Sequence, residues 1–389
     1  MPFFNDVGLL NLSEHPWNAP WHSNHHLISG LAQYFHIVWC NPAPSWRNFP
    51  VHKLSIDTSG TFLEPTPPGL TVYHPEIWLP ELGRPRFLAH WTNRKRLNVA
   101  RNILLSQGCR KIILFIGLPK YAFALDAVNY DLSCYRISDE YSHSDTEHPI
   151  NPSEARLISR VDQVFILSPA MLAKKGHLNS DTFWVPNGVD YAAYSTPRSV
   201  PEDLRDIPHP RVGYVGILKQ HLDFHLLTHL AKRHKEWSFV LVGPRGALGQ
   251  SEGLFQELLK MDNVFWLGGK PMRSLPAYIQ NVDVCMLPYK INGYTKFIYP
   301  LKLHAYFSSG RPIVGTPIHT LKNFAEQIHL ARTIEDWSKA ITQILALPSS
   351  PNGANVRKQI ARQHDWSIIV DSVARKICQK LGPAYSRAI

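Results

Sequence analysis

Short apolar runs alternate with longer amphipathic stretches along the whole chain. In the first half the runs predict strands at Val7–Leu12, His36–Trp39, Lys111–Ile116, Ser133–Ile137 and Gln163–Leu167. Between the second and third lies a long helical stretch, about Arg86–Gln107, which Gly108 should cap. A further helix should follow Pro152, because proline suits a first helical turn. The second half repeats the scheme, with strands at Arg211–Val215, Ser238–Val242, Asn263–Leu267, Val282–Leu287 and Pro312–Gly315. Its helices fall near Phe224–Arg233, Gly253–Met261, Leu275–Gln280, Lys302–Ser308 and Ile334–Leu345, and a last one covers Trp366–Leu381.

Strand–helix–strand alternation calls for parallel strands joined by crossover helices, hence an α/β fold. The polar stretch Tyr191–Pro210 carries Pro197, Pro201, Pro208 and Pro210 and reads as a linker. The expected layout is a first doubly wound domain over 1–190, a linker over 191–210 and a second doubly wound domain over 211–365. A C-terminal helix over 366–389 remains to pack back on the first domain. Two such domains facing each other would hold a ligand in the cleft between the carboxyl ends of their sheets.

The 389 residues suit two domains, and 44% hydrophobic residues supply two cores. Lys and Arg number 41 against 30 Asp and Glu, a formal net charge of +11. A basic protein favours an anionic partner: nucleic acid, a membrane surface or a phosphorylated substrate. No apolar run approaches the ~18–20 residues that span a bilayer. The start, Met1–Asp6, has no basic segment followed by an apolar one, so no secretory signal is expected. The scattered cysteines Cys40, Cys109, Cys134, Cys285 and Cys378 form no Cys-x-x-Cys pair. Reduced thiols in a cytoplasmic protein are the expectation, rather than a disulfide frame or a zinc site.

Two strands of the second half end in small-residue turns: Gly216 follows Arg211–Val215, and Gly243 follows Ser238–Val242. Glycine lets a backbone approach a ligand closely, and a following helix N-terminus offers free N–H groups to an anion. Neither turn fits Gly-x-Gly-x-x-Gly with an acidic residue about 20 positions on, so dinucleotide binding is disfavoured. The segment from Asp283 to Val314 is richer in chemistry. It reads as strand, loop, helix and strand, with Thr295, Lys296 and Lys302 flanking the helix start. Ammonium groups, a hydroxyl and helix-end amides suit a diphosphate. A solvated basic loop is the plain alternative.

The string from Asp283 to Val314 resembles the donor-sugar loop of family 4-like (group 1) glycosyltransferases of the GT-B fold. It is most similar to the branch with teichuronic-acid and other cell-surface polysaccharide glycosyltransferases. Arg211–Asp223 resembles the first strand and phosphate loop of that nucleotide-binding domain, Trp237–Pro244 its second strand, and Trp266–Pro271 its base-contacting turn. In the first half Arg136–Glu140, Val164–Leu172 and Pro186–Asp190 are similar to the family. Trp21–Ala32 falls where the branch starts its first helix with Arg, Gln or His.

The resemblance implies two Rossmann-like domains and a retaining, metal-independent transfer with no cofactor. The donor would be a UDP- or GDP-sugar, and the acceptor a cell-surface polysaccharide or lipid-linked glycan precursor. It implies donor contacts at Gly216, Lys219, Gly243, Lys270, Tyr289, Thr295, Lys296, Leu301 and Lys302. Asp139, Glu140 and His143, just past a strand end, are the candidates for orienting sugar or acceptor, with a hydrated capping loop as the alternative. His25 and His26 are acceptor-side candidates. The chain departs from the family where two donor-loop glutamates would fall, at Phe297 and Ala305. The family's phosphate-loop arginine falls near Ile217, leaving Lys219 as the nearest cation. A GT-B-shaped binding protein that has lost donor chemistry is therefore the rival reading.

From Leu82 to Leu125 the chain has no Asp or Glu but contains Arg84, Arg86, Arg94, Lys95, Arg96, Arg101, Arg110, Lys111 and Lys120. On a helical wheel Leu97, Ala100, Ile103 and Leu104 form one face, while Phe87, Trp91, Arg94 and Arg101 fall opposite. Aromatics beside cations suit an anionic lipid surface, so peripheral attachment to the inner face of the cytoplasmic membrane is expected. No nucleic-acid motif accompanies the patch, and nucleic acid is not the expected partner. His221, His225 and His229 recur every four residues, so they should share a helix face. No carboxylate or cysteine completes a zinc set with them.

Overall fold

A computed structural model describes residues 1–44, 66–141, 146–347 and 351–389. Its strands form two sheets, and every strand pair within them is parallel. The chain divides into two compact units, the first made of Met1–Asp139, Pro149–Pro186 and Trp366–Ile389. The second is Asn187–Asp365 with the described residues of Glu140–His148.

The first unit holds β1 (Phe4–Leu12), β2 (Phe35–Cys40), β3 (Leu70–Tyr73), β4 (Lys111–Ile116), β5 (Leu132–Ile137), β6 (Gln163–Ile166) and β7 (Thr182–Trp184). Their order is β3-β2-β1-β4-β5-β6-β7. The chain winds outwards from β1 through β3, then returns to β4 on the other side of β1. That reversal makes the β1/β4 boundary a topological switch point. Both faces of the sheet are covered, which is why β1, β4 and β6 are almost continuously buried. The helix Arg86–Ser106 lies on one face; Gly8 in β1 lets it approach, since a Cβ there would sit 3.0 Å from Leu104. It ends as expected, with Gly108 at a φ of +90°. The terminal helix Trp366–Leu381 belongs to this unit too. It packs so closely on the helix Ser23–Leu31 that a Cβ on Gly30 would fall 2.4 Å from Val370 Cγ2.

A fully buried ion pair also lies in this unit. Lys175 Nζ donates to both Glu154 carboxylate oxygens, at 2.9 and 3.0 Å, and the Tyr135 hydroxyl adds a bond at 3.2 Å. Its partners come from the helices Pro152–Arg160 and Pro169–Lys175 and from β5. Such a pair adds little net stability, but removing one member strands a buried charge.

The second unit holds β8 (Arg211–Val215), β9 (Ser238–Val242), β10 (Val264–Trp266), β11 (Val284–Leu287), β12 (Ile313–Gly315) and β13 (His329–Leu330), in the order β10-β9-β8-β11-β12-β13. Its switch point lies between β8 and β11. The stretch Tyr191–Pro210, expected as a linker, is folded into this unit. It forms the helices Tyr191–Ser195 and Glu202–Arg205, and Leu204 and Ile207 are buried in the core. Its polar, proline-bearing pattern concealed two apolar anchors. β3, β7 and β13, absent from the sequence prediction, are only 4, 3 and 2 residues long, too short to show a period. The helix Pro351–Gln363 was also missed, because its residues are mostly polar.

Candidate functional site

In the second unit three elements meet at the switch point. β8 turns on Gly216 and its neighbour β9 on Gly243, with φ of +151° and +148°. A Cβ on Gly243 would lie 2.1 Å from the Gly216 carbonyl oxygen, so only glycine fits there. The third element is the helix Lys302–Ser309. A Cβ on Gly216 would lie 2.5 Å from Lys302 Cε, which places that lysine directly over the turn. Tyr306, one turn further on, accepts the Val215 N–H at 2.8 Å and ties the helix to the end of β8.

Two phenols hold the Lys302 ammonium. Its Nζ donates to the Tyr289 hydroxyl at 3.1 Å and lies 4.9 Å from the Tyr214 ring centroid. Burial pushes the Tyr214 hydroxyl up to about 12 even though Lys302 opposes the shift, and it pushes Tyr289 up as well. Both phenols therefore stay neutral and leave the lysine's charge uncancelled. Among the described residues Lys302 forms no ion pair.

The other expected donor-side residues are arranged differently. Lys270 Nζ is bound to Asp203 at 2.6 Å, in the segment expected as a linker. Lys296 Nζ pairs with Glu147 at 2.6 Å. The Thr295 hydroxyl donates to the Lys290 carbonyl at 2.6 Å and accepts from the Asn292 N–H, so it closes its own loop. Lys219 is exposed on the turn after β8, and half-buried Leu301 immediately precedes the Lys302 helix. The structure thus brings Gly216, Gly243, Tyr289 and Lys302 together and leaves Lys270, Thr295 and Lys296 to loop contacts. The sequence did not single out Tyr214, whose ring flanks the ammonium; no motif marks a strand tyrosine for that place. Trp266 donates its Nε1–H to the Gly243 carbonyl at 2.9 Å and steadies the second turn. Phe297 and Ala305, at the positions where the resemblance led us to expect glutamates, are packed inside, 1% and 6% exposed.

Asp139, half-buried, follows β5 in the first unit; Glu140, the next residue and buried, already belongs to the second unit. His143 lies outside the described residues. His25 is fully buried, and both ring nitrogens are engaged: one faces the Pro16 carbonyl at 3.2 Å, and the other accepts the His22 N–H at 3.2 Å. It stacks on Trp39 at 4.6 Å, and burial lowers it to about 4. This places His25 as a neutral packing residue rather than an acceptor contact. His26 lies flat against Trp366 at 5.2 Å.

On the helix Arg86–Ser106 the expected polarity holds in part. Phe87 and Trp91 are 71% and 48% exposed, and Arg94 is exposed beside them. Arg101 is instead half-buried, its Nε donating to the Asn129 carbonyl at 3.0 Å. Arg96 is buried, donating to the Leu79 and Pro80 carbonyls at 2.7 Å each. The loop it clamps exposes Ile77 and Trp78, which the sequence reading overlooked because they lie outside any periodic segment. His221 stands before the helix Phe224–Arg233, stacked on Tyr294 at 4.1 Å, so the three histidines do not share a helix face. Among the described residues no group of three or more His, Cys, Asp or Glu is placed to hold a metal, and no helix is long and apolar enough to cross a membrane.

The chain is similar to known proteins in sequence over part of its length and in fold over nearly all of it. Residues 209–347 match the family "Glycosyl transferases group 1". TuaH of Bacillus subtilis strain 168, assigned as a teichuronic acid biosynthesis glycosyltransferase, is 28% identical over 239 residues, covering 58% of this chain. The chain spans 59% of that relative's length. Sucrose-phosphate synthase of Thermosynechococcus elongatus superposes with a TM-score of 0.68 at 16% identity, covering 96% of this chain and 98% of that one. HepE of Anabaena, solved in complex with UDP and glucose, gives a TM-score of 0.64 at 16% identity, covering 96% and 99%. The expected architecture is borne out: this is a chain of the GT-B fold with two Rossmann-like domains, and its residues 209–347 are similar to group 1 glycosyltransferases.

Proposed function

We propose that the chain moves a sugar from a nucleoside-diphosphate donor to a glycan or lipid-linked acceptor, with retention at the anomeric carbon and without a metal. The observation that carries this reading is the Lys302 ammonium, uncancelled among the described residues and held over the Gly216 turn at the switch point. A leaving diphosphate gains charge as its bond to the sugar breaks. A fixed cation in a partly dry site stabilises that charge more than it stabilises the bound donor. The glycine turns let backbone approach the phosphate oxygens. Lys219, on the exposed turn, is the second cation assigned to them.

In the proposed step the bond from sugar C1 to the diphosphate oxygen breaks. A bond from C1 to the acceptor hydroxyl oxygen forms on the same face, and the hydroxyl proton passes to the departing phosphate. The second unit is assigned the donor. The first is assigned the acceptor; Asp139, where the first unit's segment ends, and Glu140, which follows it in the second, are assigned to orienting hydroxyl groups. Support comes from the group 1 match and from HepE, solved with UDP and glucose. Exposed Ile77, Trp78, Phe87 and Trp91 beside Arg94 are assigned to an anionic membrane surface, which suits a lipid-linked acceptor.

Titration calorimetry with UDP and GDP tests the donor assignment. One of the two should bind, and Lys302→Ala should weaken it by about 10–100-fold, the worth of a charge-assisted hydrogen bond at about 1.5–3 kcal/mol. The melting temperature should barely move. Failure of both nucleotides to bind, or an unchanged affinity in Lys302→Ala, sinks the reading. Nucleotide binding without turnover of any nucleotide sugar would favour the inert alternative, which the buried Phe297 and Ala305 support.

A further inference from the structure

The first unit contains a cavity of about 210 Å³ that none of the assignments above uses. Its floor includes Leu12, Cys40 and Tyr73. These are the last residues of β1, β2 and β3, and they lie in register with one another. The cavity therefore sits outside the carboxyl ends of a parallel sheet, where α/β folds place ligands. Its far wall is the helix Arg86–Ser106, through Asn93, Arg96 and Leu97.

The face of the sheet matters. Gly8 abuts Leu104 of that helix, so by alternation Leu10 and Leu12 point the same way. Asn11 and its register partner Trp39 point to the other face, where His25 stacks. The cavity and the His25 cluster thus lie on opposite faces of the sheet.

We propose that this cavity binds one neutral sugar ring, the terminal residue of the acceptor glycan; this rests on the transferase reading above. Three features carry it. The volume is below the range of about 300–1,000 Å³ for drug-sized ligands, and it suits a single ring. The lining pairs Tyr121, Phe123 and Leu82 with polar groups, and a pyranose likewise presents C–H faces ringed by hydroxyls. The rim carries one carboxylate and one ammonium: Glu81 lies 3.8 Å from Lys120, and both are about half exposed at 47% and 45%. One accepts and the other donates, which matches a pair of adjacent hydroxyls, and their charges cancel.

The remaining groups argue against an anion or a reaction in the cavity. The Arg96 fork is already spent on the Leu79 and Pro80 carbonyls and on Asn93, so it builds the wall rather than waiting for a phosphate. Burial pushes the Cys40 thiol up to about 12, and it raises the Tyr73 and Tyr121 hydroxyls, so all three stay protonated. The two segments that wall the cavity also expose Trp78 and Trp91 outward. A ring held here is therefore beside the surface assigned to the lipid.

Saturation-transfer NMR on the full chain tests the cavity directly, with neutral hexoses and N-acetylhexosamines as probes and inorganic phosphate as the anionic control. At least one neutral sugar should show transfer. Leu82→Trp, which fills the cavity from its half-buried rim, should abolish it, and Glu81→Gln should reduce it at least threefold. UDP affinity and melting temperature should stay unchanged in both variants, which separates this outcome from loss of the donor site or of folding. In the transferase assay Leu82→Trp should raise the acceptor KM at least tenfold and leave kcat within twofold. No transfer to any neutral sugar, transfer that survives Leu82→Trp, or phosphate binding in place of sugar overturns the proposal. If UDP and GDP both fail to bind while a sugar still occupies the cavity, the donor reading falls and the pocket stands.

Discussion

Beyond β8 and β9 the chain turns on Gly216 and Gly243, whereas β1, β2 and β3 end on Leu12, Cys40 and Tyr73. Both sheets are parallel and doubly wound, and both put their strand ends at a switch point. In the second unit the absence of side chains lets backbone and a lysine crowd together, which suits the charge of a diphosphate. In the first, bulky ends and a helix set back from them leave a lined cavity, which suits the shape of a ring. The same architecture supports different chemistry according to the residue that follows each strand.

The sharpest way to break this contrast is Gly243→Ala. The added Cβ meets the Gly216 carbonyl at 2.1 Å, and the positive φ strains any L side chain. A loss of about 3 kcal/mol or more is expected, from strain and overpacking together. Urea unfolding should report it, and UDP binding should disappear. Wild-type affinity in this variant would mean the turns are not shaped for the ligand.

Acid sensitivity separates the two units next. His25 falls from 6.5 in the unfolded chain to about 4 when folded, chiefly by burial. Between those values the unfolded state binds more protons. The stability contributed by keeping His25 neutral is therefore full above about pH 6.5 and is lost as pH falls towards 4, by up to about 3 kcal/mol. His25→Phe should flatten that part of the profile. His26 in the first unit is likewise lowered to about 4, by burial and by His25, and His304 in the second is held neutral by burial and by the neighbouring His364; these two should supply the slope that remains. An identical pH profile in His25→Phe would remove the packing role assigned to that ring.

The smallest effect expected is at the membrane. Each cation near an anionic surface is worth about 1 kcal/mol, so flotation with phosphatidylglycerol vesicles should weaken as salt rises. A Trp78→Ser/Trp91→Ser variant should float less at every salt concentration. Equal flotation with neutral and anionic vesicles would show that the exposed aromatics do not serve an anionic lipid.

Much of the fold was legible. β4, β8, β9, the helix Phe224–Arg233 and the terminal helix fall on their predicted bounds, because their apolar runs are bounded by clear turn or cap residues. The site was legible where backbone chemistry marks it, at Gly216, Gly243 and the start of the Lys302 helix. It was not legible for the lysines. Lys270, Lys296 and Lys302 look alike in sequence, but Asp203 and Glu147 reach the first two across long stretches of chain. The basic stretch from Leu82 to Leu125 hid a similar distinction. Arg96 points inward to carbonyls, Lys111 pairs with Asp131, and Arg94 remains exposed.

The sequence by itself determined two parallel α/β units and the two glycine turns, because periodicity and backbone permissiveness are local properties of the chain. Only the tertiary structure decided which cations keep their charge and which are spent. It alone showed that 191–210 is core-anchored, and that a cavity opens beneath the helix Arg86–Ser106. Those outcomes depend on partners far apart in sequence, and distance through space is not written in any local pattern.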